Sequence, residues 1–500
     1  MTEHLRFGTA GLRAPLGDGP MRMNAHVVEQ VAMAIAKWLP PASNFVIGRD
    51  ARHGSADFAA VTARVLNDAG HHPKLFAEPV PTPVVAHEIA RSNAAGGVVV
   101  TASHNPATDN GYKVYAADGG QILTEDAAQI ETTMGVLAWP EAVDVALPES
   151  IELLGDDEID AYLETIAGAA RRDVAHGGLT IAYTAMHGVG GELFVRALEA
   201  AGHRVLSVPE QHDPNPEFPT AAFPNPEEPG TLDLVIALAT REQADLILAN
   251  DPDADRLAVA VRRESGWERL TGDEIGVLLG NQILGHFLDS NEGGSVATTV
   301  VSSSLLSKIA AAAGVTCHTT LTGFKWLARA GDHDEGSLLF AYEEALGYGV
   351  IPAIRDKDGI SSAVAFADIV ATLPEGATVD DVLRGIHRAY GVHLNSQRSI
   401  RFDGDDAMAN MASVMGGLRA KPATHIGTFG VTATTDLQDG TDGFAPSDVL
   451  IYQLDGGRVI IRPSGTEPKV KAYLEAVDRD RQVAEDRLAA LDAAVVELLG

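Results

Sequence analysis

Short apolar, β-branched runs alternate with Ala-rich stretches of helical period along almost the whole chain. "NFVIGRD", "GGVVVTA", "LTIAYTA", "ADLILAND", "GSVATTVVSS" and "GSLLFAYEE" are too continuously apolar to keep one face wet. They read as buried strands of mainly parallel sheets. Between them, "MNAHVVEQVAMAIAKWL", "SADFAAVTARVLNDAG" and "GELFVRALEAAG" read as helices, the last two ending on Gly70 and Gly202 as expected C′ glycines. This βαβα rhythm predicts the α/β class. In open α/β sheets ligands gather at the carboxyl ends of strands, and the polar motifs of this chain stand at those ends.

A chain of 500 residues exceeds what one core can organise, so several domains are expected. The acidic "LPESIELLGDDEIDAYLETI", the hairpin-like "VRRESGWERLTGDEIG" and "VHLNSQRSIRF" divide it into 1–150, 151–268, 269–391 and 392–500. The first three divisions read as α/β units of similar size, and the last ends in the helix "DRQVAEDRLAALDAAVVELLG". The Pro-rich stretch His212–Gly230 reads as a rigid irregular loop. Cys317 is the single cysteine, which excludes an intrachain disulfide and a Cys-based metal cluster and fits a reducing compartment. With no apolar leader segment and no long apolar window, the expectation is a cytoplasmic protein with no membrane partner. A net charge of −32 argues against nucleic acid, yet allows a small anionic substrate where a few cations converge.

In "ANDPDADRLAVAV", Asp251, Asp253 and Asp255 alternate between two apolar runs. Carboxylates at i, i+2 and i+4 of an extended loop point the same way and repel unless a positive charge sits among them. A hard divalent cation, Mg²⁺ most naturally, answers that need; an exposed acidic turn is the alternative. An EF-hand is excluded, because Arg256 and Arg262 stand where its Gly and Glu belong. In "VIIRPSGTEPKVKAYLE", Arg462, Ser464, Thr466 and Lys469 surround Gly465, a set suited to a phosphate group, although an ordinary turn would look similar. Glu343 and Glu344 follow an apolar run closely enough to accept hydrogen bonds from sugar hydroxyls. Lys325, and Arg355 with Lys357, are cations in loops, as are Arg13 in "RFGTAGLRA" and the arginines of "GRDARHGS".

Ser103 stands where "GGVVV" surfaces into "TASHNP". No G-x-S-x-G elbow surrounds it, since Thr101 and Asn105 occupy the glycine positions, so a hydrolase triad is not expected. A serine that carries a phosphoryl group fits better: phosphoserine adds about −1.5 to −2 charge and needs a metal and cations nearby. The aspartate trio and the motif-borne Arg and Lys would meet that need.

The ordered motifs "TASHNP", "DPDADR", "EEALGY" and "RPSGTEPK", with "FGTAGLR" at the start, span essentially the whole chain. The sequence resembles the α-D-phosphohexomutase superfamily, the phosphoglucomutases and phosphomannomutases. The resemblance implies three related α/β domains and a smaller C-terminal α+β domain around a central cleft. It implies an intramolecular phosphotransferase in which Ser103 is the phosphoserine and shares Mg²⁺ with Asp251, Asp253 and Asp255. His104 and Lys113 would be the acid/base candidates, with Arg13 and Arg256 at the reacting phosphoryl. Lys325, Glu343 and Glu344 would meet the sugar. Arg462, Ser464, Gly465, Thr466 and Lys469 would clamp the phosphate that is not being transferred. It also implies a sugar monophosphate as substrate, glucose 1,6-bisphosphate or an analogous bisphosphate as activator, and a monomer or homodimer.

One loop departs from the pattern Gly-Glu-Met-Ser-Gly-His of many relatives: Leu346 replaces its serine and Tyr348 its histidine. With "GFKW" and "DKDGIS", this resembles the branch that also holds phosphopentomutases and glucose-1,6-bisphosphate-forming enzymes. A hexose phosphate mutase acting on glucose or mannose is the leading expectation, and a phosphopentomutase the first alternative. A sugar phosphatase lacks an obvious water-activating base here. A non-catalytic sensor would need neither Ser103 nor the intact trio.

Overall fold

The computed structural model describes residues 4–8, 11–169, 178–287, 293–404, 406–441, 443–464 and 468–499. Four sheets follow one another along the chain. The first runs Leu12–Pro15, Asp109–Ala116, Gly96–Val100, Asn44–Arg49, His72–Phe76 and Glu152–Leu154 from edge to edge. Its last four strands are mutually parallel, and Asp109–Ala116 returns antiparallel beside Gly96–Val100. The second runs Gly266–Arg269, Ala258–Arg263, Leu246–Ala249, Thr180–Thr184 and Arg204–Ser207. The third runs Thr316–Thr320, Gly294–Thr299, Ser337–Glu343 and Gly347–Gly349.

These three sheets share one device. A parallel strand ends at its carboxyl edge, the chain turns, and an antiparallel strand returns alongside: Gly96–Val100 into Asp109–Ala116, Leu246–Ala249 into Ala258–Arg263, and Ser337–Glu343 into Gly347–Gly349. Each turn carries one non-glycine residue in the left-handed region: Ser103 at φ 52°, Ala254 at φ 54° and Leu346 at φ 63°. The supports beneath are rigid. Val98, Val99 and Val100 are fully buried, each contributing about 1.5–3 kcal/mol relative to exposure.

The expected helices form as Ala25–Trp38, Ser55–Asp68 and Gly191–Ala200, and Gly70 and Gly202 follow the latter two at φ 86° and 94°. The acidic joining segment forms the helix Asp156–Ile166. The fourth sheet is wholly antiparallel, in the order Val392–Arg401, Lys469–Asp478, Gly457–Pro463, Leu450–Leu454, Phe429–Asp436 and His425–Ile426. The helices Ala407–Ala420 and Arg481–Leu499 supply Met411, Met415, Leu491 and Val495 to its separate core. Among the described residues no helix is long and apolar enough to cross a membrane.

The domains are laced by polar contacts. Three consecutive buried residues, Asp356, Lys357 and Asp358, each reach a different neighbour. Asp356 accepts from Tyr115 (2.8 Å) and Gln121 (3.0 Å) of the first domain. Lys357 reaches Asp255 of the second. Asp358 accepts from Tyr162 of the joining helix at 2.9 Å and caps the helix Gly359–Ala371 by accepting from Ile360 N. Gly359 must be glycine, because a Cβ there would lie 2.2 Å from the Arg256 carbonyl oxygen.

Candidate active site

The turn after Leu246–Ala249 is the hub. Its Asp253 carbonyl accepts from Thr82 N (3.0 Å) of the first domain, its Ala254 carbonyl from Gly359 N (3.2 Å), and its Leu257 N donates to Leu346 O (3.0 Å). This lacing holds Asp251, Asp253 and Asp255 fully buried, with one ligand atom from each inside a sphere of contacts no longer than 4.8 Å. Lys113 lies opposite on Asp109–Ala116. Its ammonium donates to Asp253 Oδ2 at 2.6 Å and Asp255 Oδ2 at 2.7 Å, and is itself fully buried. Lys357 Nζ stands 3.2 Å from the same Asp255 oxygen and 4.0 Å from Glu343 Oε1. The repulsion expected of the trio is thus relieved by two lysines from two other domains.

The electrostatics follow from burial and from who faces whom. Burial, then Asp253 and Asp255, push the Asp251 carboxyl above its usual range. Burial would raise Asp253 as well, but Lys113 and Thr82 outweigh it and hold that carboxyl below its range. For Lys113 the two aspartates overcome burial and raise the ammonium, so it stays charged. Two oxygens, Asp253 Oδ1 and Asp255 Oδ1, are buried with no hydrogen-bond partner among the described residues. Buried, unsatisfied carboxylate oxygens beside a third carboxylate are the donor set of a hard cation.

Ser103 is 1% exposed, and its Oγ donates to Asp251 Oδ2 at 2.9 Å. His104 Nδ1 lies 3.2 Å from the same Oγ. Burial, then Arg256 and Arg13, force the His104 imidazole well below its ordinary value, so it is neutral at neutral pH. The left-handed serine is held by Arg52, whose Nη2 donates to the carbonyls of Ser103 (2.5 Å) and Asn105 (2.6 Å) while Nη1 donates to Pro106 O (2.8 Å) and Asp109 O (3.2 Å). Asp50 Oδ2 faces the Arg52 Nε at 3.1 Å. Arg256 extends its guanidinium between Asp251 Oδ2 and Glu227 Oε2, 3.8 Å from each. Arg13 has a buried Nε without a hydrogen-bond partner among the described residues, and burial, opposed by Asp253 and Asp255, lowers its guanidinium.

Glu343 and Glu344 part company. Glu343, raised by burial against the pull of Lys357 and Arg256, faces the trio. Glu344 Oε2 accepts from Ser302 Oγ (3.0 Å) and Thr299 Oγ1 (3.2 Å), and belongs to a second charged group. There, burial and Lys469 lower the Lys471 ammonium while Glu344 and Glu227 oppose them, with Arg462 nearby. Arg462 and Lys469 flank the hairpin between Gly457–Pro463 and Lys469–Asp478, where Ser464 N donates to Lys469 O at 2.8 Å. Gly465 and Thr466 lie outside the described residues. Lys325, on the four-residue helix Phe324–Leu327, is lowered by burial, and its Nζ lies 5.8 Å over the Trp326 ring. Leu346 brings no polar group, and the buried Tyr348 hydroxyl donates to Gly272 O at 3.3 Å.

Sequence reading did not assign Lys357, Arg52, Thr82, Glu227 or Lys471 to the site. A cavity of about 960 Å³ between the helices Asp156–Ile166 and Gly191–Ala200 contains none of these residues.

Comparison with known proteins decides the family. Family models described as phosphoglucomutase/phosphomannomutase alpha/beta/alpha domains I, II and III match residues 4–137, 160–266 and 271–390, and the C-terminal domain of the same family matches 412–493. The chain belongs to the phosphoglucomutase/phosphomannomutase family. A probable phosphomannomutase of Haemophilus influenzae is 39% identical over 490 residues, covering 96% of this chain and 98% of that one. A phosphopentomutase of Mus musculus is 34% identical over 522 residues, covering 94% and 83%. Among solved structures, a putative phosphomannomutase from Thermus thermophilus superposes with a TM-score of 0.76 at 22% identity, covering 99% and 100%. The chain is therefore a phosphomutase: three α/β domains and a distinct C-terminal domain of this family, with the enzyme class that goes with them.

Proposed function

We propose that the chain interconverts a hexose 1-phosphate and hexose 6-phosphate, glucose first, through phosphorylated Ser103 and a sugar bisphosphate. The observation that carries this reading is the Ser103 Oγ contact of 2.9 Å to Asp251, within a buried aspartate trio. The orphaned Asp253 and Asp255 oxygens fit Mg²⁺, which Asp251, Asp253, Asp255 and the group on Ser103 would hold. When bound, such an ion neutralises phosphoryl charge as a Lewis acid.

The chain's own residues do the rest. Neutral His104, beside Oγ, accepts the proton of the attacking sugar hydroxyl and passes it to the departing Oγ, and the reverse step retraces that path. Lys113, held charged, and Arg256 with Arg13 stabilise the spread charge of a loose transition state, in which positioning and electrostatics carry most of the catalysis. Glu343 receives sugar hydroxyls on the trio side, and Glu344 does so on the far side. Arg462, Ser464, Gly465, Thr466 and Lys469 hold the distal phosphate, and Lys325 meets the substrate from its helix. The bisphosphate then turns over, presents its other phosphoryl to Ser103, and leaves as the isomer. Glucose 1,6-bisphosphate primes dephosphorylated enzyme.

A pentose phosphate is the second reading, favoured by the phosphopentomutase relative and by the burial of Leu346 and Tyr348, which leaves the sugar loop to its carboxylates. The test compares glucose, mannose and ribose 1-phosphates with Mg²⁺ and a trace of the matching bisphosphate, beside Ser103→Ala. Conversion that vanishes in Ser103→Ala supports the phosphoserine route, and the ranking names the sugar. Equal turnover in Ser103→Ala would sink it.

A further inference from the structure

The Pro-rich stretch His212–Gly230 is a singled-out motif to which the proposed chemistry gives no role. It leaves the second domain and packs over the serine turn of the first. Phe218 lies under the Arg52 guanidinium at 4.9 Å, Glu217 meets His53 at 2.5 Å, and Glu227 faces Arg256. Most telling is Phe223, whose ring meets the His104 ring edge-on, with centroids 6.0 Å apart and planes at 67°. His104 in turn is 3.2 Å from Ser103 Oγ.

Phe223 is 37% exposed, although it is a large apolar side chain. Scattered exposed apolar residues need no explanation, but this one is held where it is. Six prolines stiffen residues 213–230. Further contacts pin the loop: Asn215 N to His187 O (2.9 Å), Ala221 N to Phe218 O (2.9 Å) and Asn225 N to Phe223 O (2.8 Å). The Thr220 hydroxyl is also tied to His187 Nε2 and Gln211 Nε2 at 2.8 Å each. A rigid loop from one domain thus fixes an aromatic ring against the imidazole of another, next to the serine.

We propose that Phe223 is a specificity-determining wall that sets whether the Ser103 phosphoryl group passes to a sugar hydroxyl or to water. The inference rests on the mutase reading above. In transfer, the P–Oγ bond breaks, a P–O bond forms to the sugar oxygen, and the hydroxyl proton ends on Oγ. In the competing hydrolysis the same bond breaks, the new bond forms to a water oxygen, one water proton ends on Oγ, and inorganic phosphate leaves. The two routes differ only in the incoming oxygen, so a wall that admits a sugar face and shuts out loose water decides between them. An apolar ring suits that task because it offers water no hydrogen bond and gives a C–H-rich sugar face a flat contact.

The experiment measures isomer formation and inorganic phosphate release in one reaction, with glucose and ribose 1-phosphates and a trace of bisphosphate. It uses wild type, Phe223→Ala, Phe223→Leu and Phe223→Tyr. The expected result is a phosphate-to-isomer ratio that rises about tenfold or more in Phe223→Ala, less in Phe223→Leu and little in Phe223→Tyr, as aromatic cover is lost stepwise. Phosphorylation of Ser103 by bisphosphate, read by intact mass, should survive in all four, separating a leaking site from a collapsed one. A ratio within about twofold of wild type in both Phe223→Ala and Phe223→Leu would overturn the proposal while leaving the mutase reading intact. Failure of the wild type to isomerise either of these sugars or mannose 1-phosphate would instead overturn the mutase reading, and this inference with it.

Discussion

Lys113→Met tests whether the buried lysine holds the trio together. Methionine keeps roughly the length of the stem and removes the charge. At 2.6 Å and an effective dielectric near 20, the contact to Asp253 contributes about 6 kcal/mol before desolvation. Most of that is offset by the cost of burying both groups, but removing one partner leaves the other charge uncompensated, at a net cost of about 3–5 kcal/mol. Asp255 still has Lys357 at 3.2 Å, whereas Asp253 Oδ2 keeps only the Thr82 hydroxyl at 2.8 Å, so the cost falls on Asp253. In the wild type Lys113 depresses the Asp253 carboxyl, so its contribution is present above the unfolded pKa and lost as pH falls. In the variant, burial loses its largest opponent and raises that carboxyl against Thr82, so its contribution is lost as pH rises. The gap between the proteins should therefore widen from acid to neutral pH. The assay is thermal unfolding in EDTA and then in Mg²⁺. At about 2–4 °C per kcal/mol for a domain of this size, Lys113→Met should melt on the order of 10 °C lower in EDTA near neutral pH. Mg²⁺ at about a hundred times its Kd should return roughly 2.7 kcal/mol to either protein by mass action. A variant within about 2 °C of wild type in EDTA would refute the reasoning.

Three further outcomes are expected. Arg52→Lys removes the fork that grips four carbonyls of the serine turn, and kcat should fall about 100-fold in the sugar phosphate assay with little change in KM. Arg462→Ala, at the distal hairpin, should act in kcat/KM by roughly 10- to 100-fold, as expected for loss of a charge-assisted contact to phosphate. His87 is buried beside Thr165 at 2.9 Å, and burial drops its pKa to about 4. The unfolded chain therefore binds a proton that the folded one refuses between about pH 6.5 and 4, so stability falls as pH drops through that window. His87→Gln should flatten that slope in urea titrations.

What could be read from sequence was local. The i, i+2, i+4 spacing of Asp251, Asp253 and Asp255 announced their convergence because both flanks are strands, and "VVVTASHNP" announced a supported turn. The βαβα rhythm gave the α/β class for the same reason: it rests on periodicities within a dozen residues. The unread part was distant. Lys357 meets Asp255 across about a hundred residues and Lys113 meets it across more, and nothing in a lysine's neighbours states whether it is solvated or buried. Glu343 and Glu344 looked like one pair, yet successive residues at a strand end point to opposite sides, and the structure sends one to the trio and the other to Ser302. The Pro-rich stretch reads as a rigid irregular loop, but its sequence does not state what that rigidity holds, which is Phe223 against His104.

The three strand-turn-strand units suggest why the serine sits where it does. Ser103, Ala254 and Leu346 occupy matching turns with φ of 52°, 54° and 63°. A side chain held there costs on the order of 1–3 kcal/mol and persists only because the surroundings impose it. At the first turn Arg52 imposes it; at the second and third, the Gly359 N and Leu257 N bonds to Ala254 O and Leu346 O do so. The turn does not depend on the chemistry: the same strained corner carries an alanine, a leucine and the serine proposed to react. This makes a prediction with an unusual sign. At an ordinary position glycine is less stable than alanine by about 0.5–1 kcal/mol. Ser103→Ala and Ser103→Gly both lose the Oγ contact to Asp251, so their difference isolates the backbone. Ser103→Gly should be at least as stable as Ser103→Ala, by up to about 1 kcal/mol, because glycine alone is unstrained at φ 52°. Both should be inactive. A Ser103→Gly protein that unfolds at distinctly lower urea than Ser103→Ala would mean that the turn relaxes freely and stores no strain.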